Sequence, residues 1–285
     1  MERIEEKQAI FSTPDKFLNI AICSNTRLAL IDIRDGLKEW RIWLLLAWQD
    51  IQLRYRRSTL GPFWITLSMA ITIYTMGLLY GRLFKIDLAQ YYPFLASGIL
   101  TWGLIASLLT EGVSIFVEAE PFIEQMKQPY SVFIFRVVSK CFIIFFHNIL
   151  VLLPIIFIFG VKVNIYTLFL PLSLAIIWLN AVSYGAILAL LGTRFRDIAQ
   201  LIISLVQVIF FLTPIIWSPS ILPERYHYII RLNPFAQFME LVRNPLLGSL
   251  PSHYTLLFTV VITLFGLFIS FRIFTRYRAR IAYWL

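Results

Sequence analysis

The chain has 285 residues, of which 59% are hydrophobic and 14% are charged. A soluble domain carries roughly a quarter charged residues, so this composition excludes an ordinary soluble domain. Several apolar runs reach about 20 residues, the length that crosses a bilayer core of about 30 Å. Such runs must be helical, because a spanning segment has to pair its own backbone groups. The sequence therefore predicts an all-α integral membrane protein.

Six predicted spans follow one another along the chain. Gly61 and Pro62 precede the first span, where proline loses no hydrogen bond that a helix needs. The gap between the third and fourth spans is short, which predicts a tight helical hairpin. The predicted spans are residues 62–84, 93–117, 137–160, 165–191, 198–217 and 254–274.

Lys and Arg are distributed unevenly over the segments between these spans. If the N-terminus is cytoplasmic, the cytoplasmic segments hold all but six of the 25 Lys and Arg residues. Cytoplasmic loops carry this excess in membrane proteins, so both termini are predicted to be cytoplasmic. The same rule accounts for the net charge of +9, and no nucleic-acid partner is needed to explain it. The six residues on the other side are Arg82, Lys85, Lys162, Arg225, Arg231 and Arg243.

The segment before the first span combines aromatic and basic residues. Three tryptophans recur at helical spacing between positions 40 and 48, interleaved with Lys and Arg. This combination suits the lipid headgroup layer and predicts an amphipathic interface helix over residues 36–61, after a cytoplasmic arm of residues 1–35. The alternative is a solvated helix whose apolar face is buried on a partner. Residues 275–285 form a cytoplasmic tail whose arginines favour contact with anionic membrane lipids.

Two further segments outside the spans have helical potential. Residues 118–130 are charged, bracketed by two prolines and long enough for one or two helical turns, so they are either a docking helix or an ordinary connecting loop. Residues 218–252 contain two short segments that are too polar to span, and we predict a re-entrant or interfacial helical pair there. Asn233 followed by Pro234 is a strong signal for the start of a helix.

Motifs for independent chemistry are absent from the sequence. It contains no nucleotide-binding P-loop, no His-Glu-x-x-His and no Gly-x-Ser-x-Gly. Two cysteines predicted on the reducing side argue against a disulfide and are too few for a metal site. Glu111, His147 and Asn180 fall within spans, and we expect each to join helices through hydrogen bonds rather than to carry protons.

Three segments together resemble the permease subunit of ABC exporters for cell-surface polysaccharides, the O-antigen and teichoic-acid exporter family. The first is the motif WQDIQLRYRRSTLGPFW at residues 48–64. The second is the proline-bracketed loop, and the third runs from Asn233 to Gly248. The resemblance covers the chain from about residue 40 to its end, and the N-terminal arm is not part of it.

The resemblance implies a homodimer in the bacterial inner membrane, with residues 62–274 of each subunit forming a six-helix permease domain. A separate ATPase, present in two copies, would bind ATP and Mg²⁺, while this chain would bind no cofactor and catalyse no reaction. The implied substrate is a long polysaccharide on an undecaprenyl diphosphate-type lipid. Residues 118–130 then become the segment coupled to the ATPase, and residues 218–252 become an extracytoplasmic gate.

Two groups of residues carry the coupling and gating roles that the resemblance implies. The coupling residues are Glu120, Phe122, Glu124, Gln125, Lys127 and Gln128, and the gate residues are Asn233, Pro234, Phe235 and Arg243.

The substrate is expected to meet basic and aromatic side chains. Arg54, Arg56 and Arg57 precede the first span, and arginine binds phosphate through paired hydrogen bonds near a positive helix N-terminus, so they are predicted to receive the lipid diphosphate. Basic residues there also satisfy the topology rule alone. Aromatic faces stack on sugars, although core and lipid-facing aromatics are equally compatible with the pattern. The candidates for lining the channel are Tyr74, Trp102, Phe210, Phe211 and Trp217.

The first span carries two different stripes at helical spacing. One contains small residues, so one stripe would pack closely against a neighbouring helix while the other faces water or sugar. The sequence does not determine which stripe has which role. The stripes are Ala70, Tyr74, Gly77 and Gly81 on one side, and Ser68, Thr72 and Thr75 on the other.

Three other functions fit parts of this pattern. A permease that exports a drug or a small lipid would share the architecture but needs fewer aromatic residues in its channel. A membrane-embedded glycan polymerase or acyltransferase would require convergent catalytic residues, and the sequence offers no such set. A membrane scaffold would need neither the coupling segment nor the re-entrant pair.

Overall fold

The computed structural model describes residues 14–56, 58–161, 164–221 and 223–285, and the secondary structure within them is helical. Short 3₁₀ turns lie at Ile165–Phe169, Pro219–Ile221, Glu224–Tyr226 and Arg278–Arg280. The α-helices are α1 (Pro14–Lys38), α2 (Trp40–Arg54), α3 (Phe63–Leu83), α4 (Leu88–Gly112), α5 (Ile115–Gln125), α6 (Tyr130–Ile149), α7 (Leu152–Phe159), α8 (Leu170–Arg194), α9 (Asp197–Leu212), α10 (His227–Leu232), α11 (Pro234–Leu246), α12 (His253–Tyr277) and α13 (Ile281–Trp284).

Within the described residues, five helical stretches are long and apolar enough to cross a membrane. They overlap the first four predicted spans and the sixth, so the prediction of a multi-pass, all-α membrane protein is confirmed at this level. The five stretches are Phe63–Leu83, Leu88–Gly112, Tyr130–Phe159, Ile165–Arg194 and His253–Trp284.

The predicted fifth span is shorter than expected. Its helix, α9, has 16 residues and ends at Leu212 rather than at Trp217. At a rise of 1.5 Å per residue, α9 is about 24 Å long. The helix stops there because Thr213 precedes Pro214, and a residue before proline is forced out of the helical region into extended backbone.

The third span begins earlier than predicted and is interrupted. Helix α6 begins at Tyr130 instead of residue 137, since the charged Arg136 is accommodated inside the bundle by Asp50 of α2. The chain breaks after Ile149 and continues as α7. Pro154 in the first turn of α7 has no N–H with which to continue the ladder of α6, which explains the break.

The region before the first span is divided differently from the prediction. Helix α1 reaches Lys38, so it crosses the predicted boundary at residue 36, and a turn at Glu39 separates it from α2. One side of α2 packs along α6, where Ala47 and Ile51 are buried. The rest of α2 exposes large apolar side chains such as Trp40 and Leu53.

Helix α4 forms the centre of the bundle and contacts α3, α6, α8, α9 and α11. The small residues Gly77 and Gly81 of α3 face it, and any side chain there would collide with Tyr92 or Leu88 of α4. The stripe of α3 that contains Tyr74 therefore packs inside the protein, while Ser68, Thr72 and Thr75 are exposed. Close approach through small residues is how membrane helices associate without a hydrophobic driving force.

Candidate functional site

The predicted coupling segment folds as a helix of about three turns, longer than expected. Helix α5 begins at Ile115, before the predicted segment, and continues through Pro121 to Gln125. Its N-terminal half is anchored because Ile115, Phe116 and Ala119 are buried. Its C-terminal end and the following link present Glu124, Gln125 and Lys127 to solvent, whereas Glu120, Phe122 and Gln128 are half-buried.

Arg136 of α6 connects helix α5 to both α6 and α2. The guanidinium of Arg136 on α6 lies 4.9 Å from the centre of the Phe122 ring. Arg136 also donates two hydrogen bonds to the carboxylate of Asp50 on α2, with Nε 2.8 Å from Oδ2. Phe122 thus serves as a packing contact between α5 and the bundle, and its neighbours in sequence supply the exposed surface.

The predicted lipid-binding arginines lie at the end of α2. Arg54 is 3.6 Å from Glu111 of α4, and more than half of its side chain remains exposed. Arg56 is exposed, and Arg57 lies outside the described residues. Lys140 of α6 approaches the same carboxylate, with 2.8 Å between its Nζ and Glu111 Oε2. The local charge is therefore positive, since Glu111 faces two cations.

Polar residues within the spans connect helices as predicted in two cases. Glu111 joins α4 to α6 through Lys140, and the amide of Asn180 on α8 donates to Thr263 Oγ1 on α12 at 2.7 Å. The prediction of an interhelical hydrogen bond for the His147 side chain is wrong. Its Nδ1 pairs with the carbonyl of Ile143 in the same helix, and its ring stacks on Trp48 of α2.

The channel candidates occupy different environments within one subunit. Trp102 is only 7% exposed and packs against Phe210 and Phe235. Tyr74 contacts the ring of Tyr92 inside the bundle. Phe211 is 74% exposed, and Trp217 is half-buried with its Nε1 donating to the Phe211 carbonyl. Trp102, Phe210, Phe211 and Trp217 are therefore connected through successive contacts, whereas Tyr74 packs on Tyr92 instead.

The predicted gate segment starts as the sequence indicated. Asn233 caps α11, its Oδ1 accepting hydrogen bonds from the backbone N–H groups of Phe235 and Ala236. Its Nδ2 donates to Thr213 Oγ1, so the cap also holds α11 against the end of α9. The helix packs on α4, α8 and α12, and its inner face is buried.

Arg243 connects α11 of the gate segment to the turn that follows α9. Its side chain is buried, and its Nη1 and Nη2 donate to the carbonyls of Pro214 and Ile215 in the turn after α9. The guanidinium lies 4.0 Å from the centre of the Phe94 ring on α4. Burial lowers the pKa of Arg243 to about 10, with Glu240 opposing the shift. Arg243 is therefore still protonated near neutral pH, and its position favours a structural role.

This set of features has a counterpart among known proteins. A family model described as ABC-2 type transporter matches residues 41–247, from the start of α2 to the end of α11. The chain belongs to the ABC-2 type transporter family. The members to which it is similar are permease subunits of transporters, and α1 and α12 lie outside the matched region.

Three relatives are similar in sequence to this chain over most of their length. An O-antigen export system permease protein RfbA of Klebsiella pneumoniae is 24% identical over 224 residues, which are 77% of this chain and 86% of the relative. A second RfbA protein of that organism is 24% identical over 70% of this chain and 79% of its own. The RfbA protein of Myxococcus xanthus is 22% identical over 68% of this chain and 75% of its own length.

Sequence analysis missed three charged residues that form ion pairs in the folded chain. Lys140 counted only toward the cytoplasmic excess of Lys and Arg, yet it is buried against Glu111. Asp32 and Arg278 lie in the two terminal segments, and they are 2.7 Å apart in the structure. No pattern within the sequence pairs residues that are so distant.

Proposed function

We propose that this ABC-2 permease is the membrane subunit of an ATP-driven exporter that moves a lipid-linked polysaccharide of the O-antigen type across the bacterial inner membrane. The observation that carries the proposal is the similarity to O-antigen export permeases over 77% of this chain and 86% of the relative. The polysaccharide, carried on an undecaprenyl diphosphate-type lipid, would pass between two copies of the chain.

The proposal includes six crossings and two cytoplasmic termini. Asp32 of α1 and Arg278, which follows the last span, form an ion pair, so α1 and the segment after α12 lie at the same end of the bundle. An even number of crossings satisfies this, and five crossings would separate the ends. We therefore count the short helix α9 as a span, continued by the turn at residues 213–217. The excess of Lys and Arg supports the cytoplasmic assignment of this end.

Energy would come from a separate ATPase, present in two copies, that binds ATP and Mg²⁺. The surface best suited to meet it is the exposed end of α5, where Glu124, Gln125 and Lys127 point away from the bundle. Helix α5 connects two spans, α4 and α6, and its buried half is fixed to the bundle, so a push on its exposed end is transmitted to both.

The lipid diphosphate would be received where α2 meets the spans. Arg54 and Arg56 are accessible there, and the acidic partner of Arg54, Glu111, is shared with Lys140. Arginine side chains that retain exposure can form paired hydrogen bonds with phosphate oxygens. Arg57 directly follows Arg56 in the sequence, and we include it among the arginines that would bind the diphosphate.

The re-entrant pair α10–α11 would form the gate at the far end of the channel. It packs beside the start of α12, at the opposite end of this helix from Arg278. Phe211 is the aromatic candidate with the surface to line a channel between subunits, because it is the most exposed of the five. Tyr74 and Trp102 would instead support the channel wall from behind.

Deletion of the chain in its native host tests the proposal. Lipid-linked polysaccharide is expected to accumulate inside the cells, and the intact chain should restore its appearance on the surface. A variant with Arg54, Arg56 and Arg57 replaced by Gln is expected to insert normally but not to restore export, whereas Arg276→Gln/Arg280→Gln serves as a basic control at the tail. A deletion strain without internal glycan, and with altered export of a drug or small lipid, would contradict the proposal.

A further inference from the structure

The first turn of α6 receives its cap from a distant part of the chain. A helix leaves the N–H groups of its first turn unpaired, and the residue at its start usually supplies an acceptor. Here that residue is Pro129, whose side chain offers none. The carboxylate of Asp32 on α1 takes its place, with Oδ2 3.1 Å from Tyr130 N and Oδ1 3.0 Å from Ser131 N. The partial positive charge of the helix N-terminus stabilises this anion.

Helix α1 is held tightly against this turn of α6. The hydroxyl of Ser131 donates to the backbone carbonyl of Asp32 at 2.8 Å. One turn further along α1, a Cβ on Gly36 would collide with the hydroxyl oxygen of Ser131. The two helices thus touch through backbone and short side chains, which leaves little freedom for one to move without the other.

The C-terminal tail completes the contact. Arg278 follows α12, and its Nε donates to Asp32 Oδ2 at 2.7 Å. Its guanidinium also lies 5.4 Å from the centre of the Tyr130 ring. The carboxylate of Asp32 is 0% exposed, so the arginine compensates a charge that water does not reach. One carboxylate therefore joins α1, α6 and the end of α12.

This junction lies where movement of the coupling helix would enter the bundle. Only residues 126–129 separate the end of α5 from Tyr130. Met126 and Lys127 in this link are exposed. A cleft of about 410 Å³ lies between the link and α1, with Ile31, Asp35 and Ile123 among the residues that line it. The link can therefore shift, whereas the turn that follows is fixed.

We infer that Asp32 is a positioning residue for energy coupling, which with Arg278 ties the start of α6 to the end of the last span. A displacement of α5 by the ATPase then reaches α6 and α12 together instead of being absorbed at the link. The inference rests on the proposed function, in which α5 meets the ATPase. It assigns a role to α1 and the tail, both of which lie outside the region that the family model matches.

The test uses the complete transporter with its ATPase, and compares Asp32→Asn with Asp35→Asn. Both changes remove one carboxylate from α1, but Asp35 is partly exposed and pairs with Lys38 on the same helix at 3.9 Å. We expect Asp32→Asn to keep complex yield and ATP hydrolysis near wild type while export falls at least about fivefold, the lower range for a coupling between sites. Asp35→Asn should export normally. Normal export by an assembled Asp32→Asn complex would overturn the inference.

Arg278 provides a second variant in case Asp32→Asn fails to assemble. Arg278→Gln leaves the cap on α6 intact and removes only the connection to α12. Arg278→Gln should also keep ATP hydrolysis near wild type while export falls. Arg278→Lys should restore part of the export, because lysine keeps the positive charge. The double variant Asp32→Asn/Arg278→Gln should be no worse than Asp32→Asn alone, since both remove one connection. Additive losses would contradict a shared role.

Hydrogen exchange gives a measurement that needs no substrate. In wild type, ATP binding should change amide exchange both in residues 126–136 and at the end of α12. In Arg278→Gln the first change should remain and the second should disappear. Persistence of both changes would refute the connection. If the wild-type complex exports no polysaccharide, the proposed function fails, and this exchange pattern still decides the role of Asp32 and Arg278.

Discussion

Charged side chains hold helices together inside this protein, and the cluster around Glu111 is an example. Glu111 of α4 accepts from Lys140 of α6, whose side chain is only 8% exposed. Arg54 of α2 approaches the same carboxylate from a more exposed position. A buried ion pair adds little compared with apolar packing, but removal of one partner leaves an uncompensated buried charge. The cluster therefore specifies how α2, α4 and α6 fit together.

Replacement of Glu111 by Gln should show how much the packing of α2, α4 and α6 depends on this carboxylate. Lys140 would lose its closest acceptor, and the free energy of unfolding in micelles is expected to fall by roughly 3 kcal/mol. Glu118→Gln is the matched control, because Glu118 is exposed on α5. The double variant Glu111→Leu/Lys140→Met should recover most of the loss, since an apolar pair replaces the ionic one. Equal stability of the two single variants would show that the ion pair does not matter for folding.

At the scale of elements, α4 determines how the other helices approach one another. Its glycines create room for particular neighbours: Gly98 lies beneath Arg243 of α11 and the carbonyl of Ile215. Arg243 in turn holds the turn after α9, so the position of α11 and the end of α9 both depend on a missing side chain in α4. Gly103 on the same helix has only an ordinary neighbour, Met69.

This difference predicts opposite outcomes for two identical substitutions. The Cβ of Gly98→Ala would lie 2.9 Å from the Ile215 carbonyl oxygen and also collide with Arg243. Such overpacking should cost about 1–3 kcal/mol of unfolding free energy. Gly103→Ala would place its Cβ 3.5 Å from Met69. It should be neutral or stabilise by up to about 1 kcal/mol, because alanine favours the helix. Thermal unfolding in detergent compares them directly, and equal effects would contradict the packing around Arg243.

For the whole molecule, the contact between the chain ends constrains the topology. Five stretches meet the length and apolarity of a span within the described residues, and α9 falls short. The ion pair between Asp32 and Arg278 nevertheless places α1 and the tail together. Accessibility of the two ends from outside the cell therefore distinguishes six crossings from five.

Cysteine labelling in intact cells measures this accessibility. In a variant with Cys23 and Cys141 replaced by Ser, a single cysteine is placed at one of the exposed positions Arg27, Arg225 and Arg280. A membrane-impermeant maleimide labels this cysteine in intact cells only if it lies on the outer side. With six crossings, Arg225→Cys should be labelled, while Arg27→Cys and Arg280→Cys react only after permeabilisation. Labelling at exactly one of the two chain ends would indicate an odd number of crossings and contradict the proposed topology.

The sequence by itself determined the class of protein, most of its spans and the start of α11. These depend on local physics: runs of apolar residues for the spans, and Asn233 before Pro234 for the helix start. It also located a helix near residues 118–130, although α5 begins earlier because Ile115 and Phe116 are buried. Hydropathy placed the start of the third span too late, since it counts Arg136 as polar regardless of its partner Asp50.

Only the tertiary structure decided which faces pack and which charges pair. The stripe of α3 with Gly77 and Gly81 turned inward because Tyr92 and Leu88 of α4 fill the space, and the sequence of α3 does not contain that information. Asp32, Tyr130 and Arg278 are separated along the chain by 98 residues or more, and they meet through hydrogen bonds that depend on the arrangement of three helices. Interactions over such distances in sequence follow from the packing of the bundle, whereas spans and caps follow from neighbouring residues.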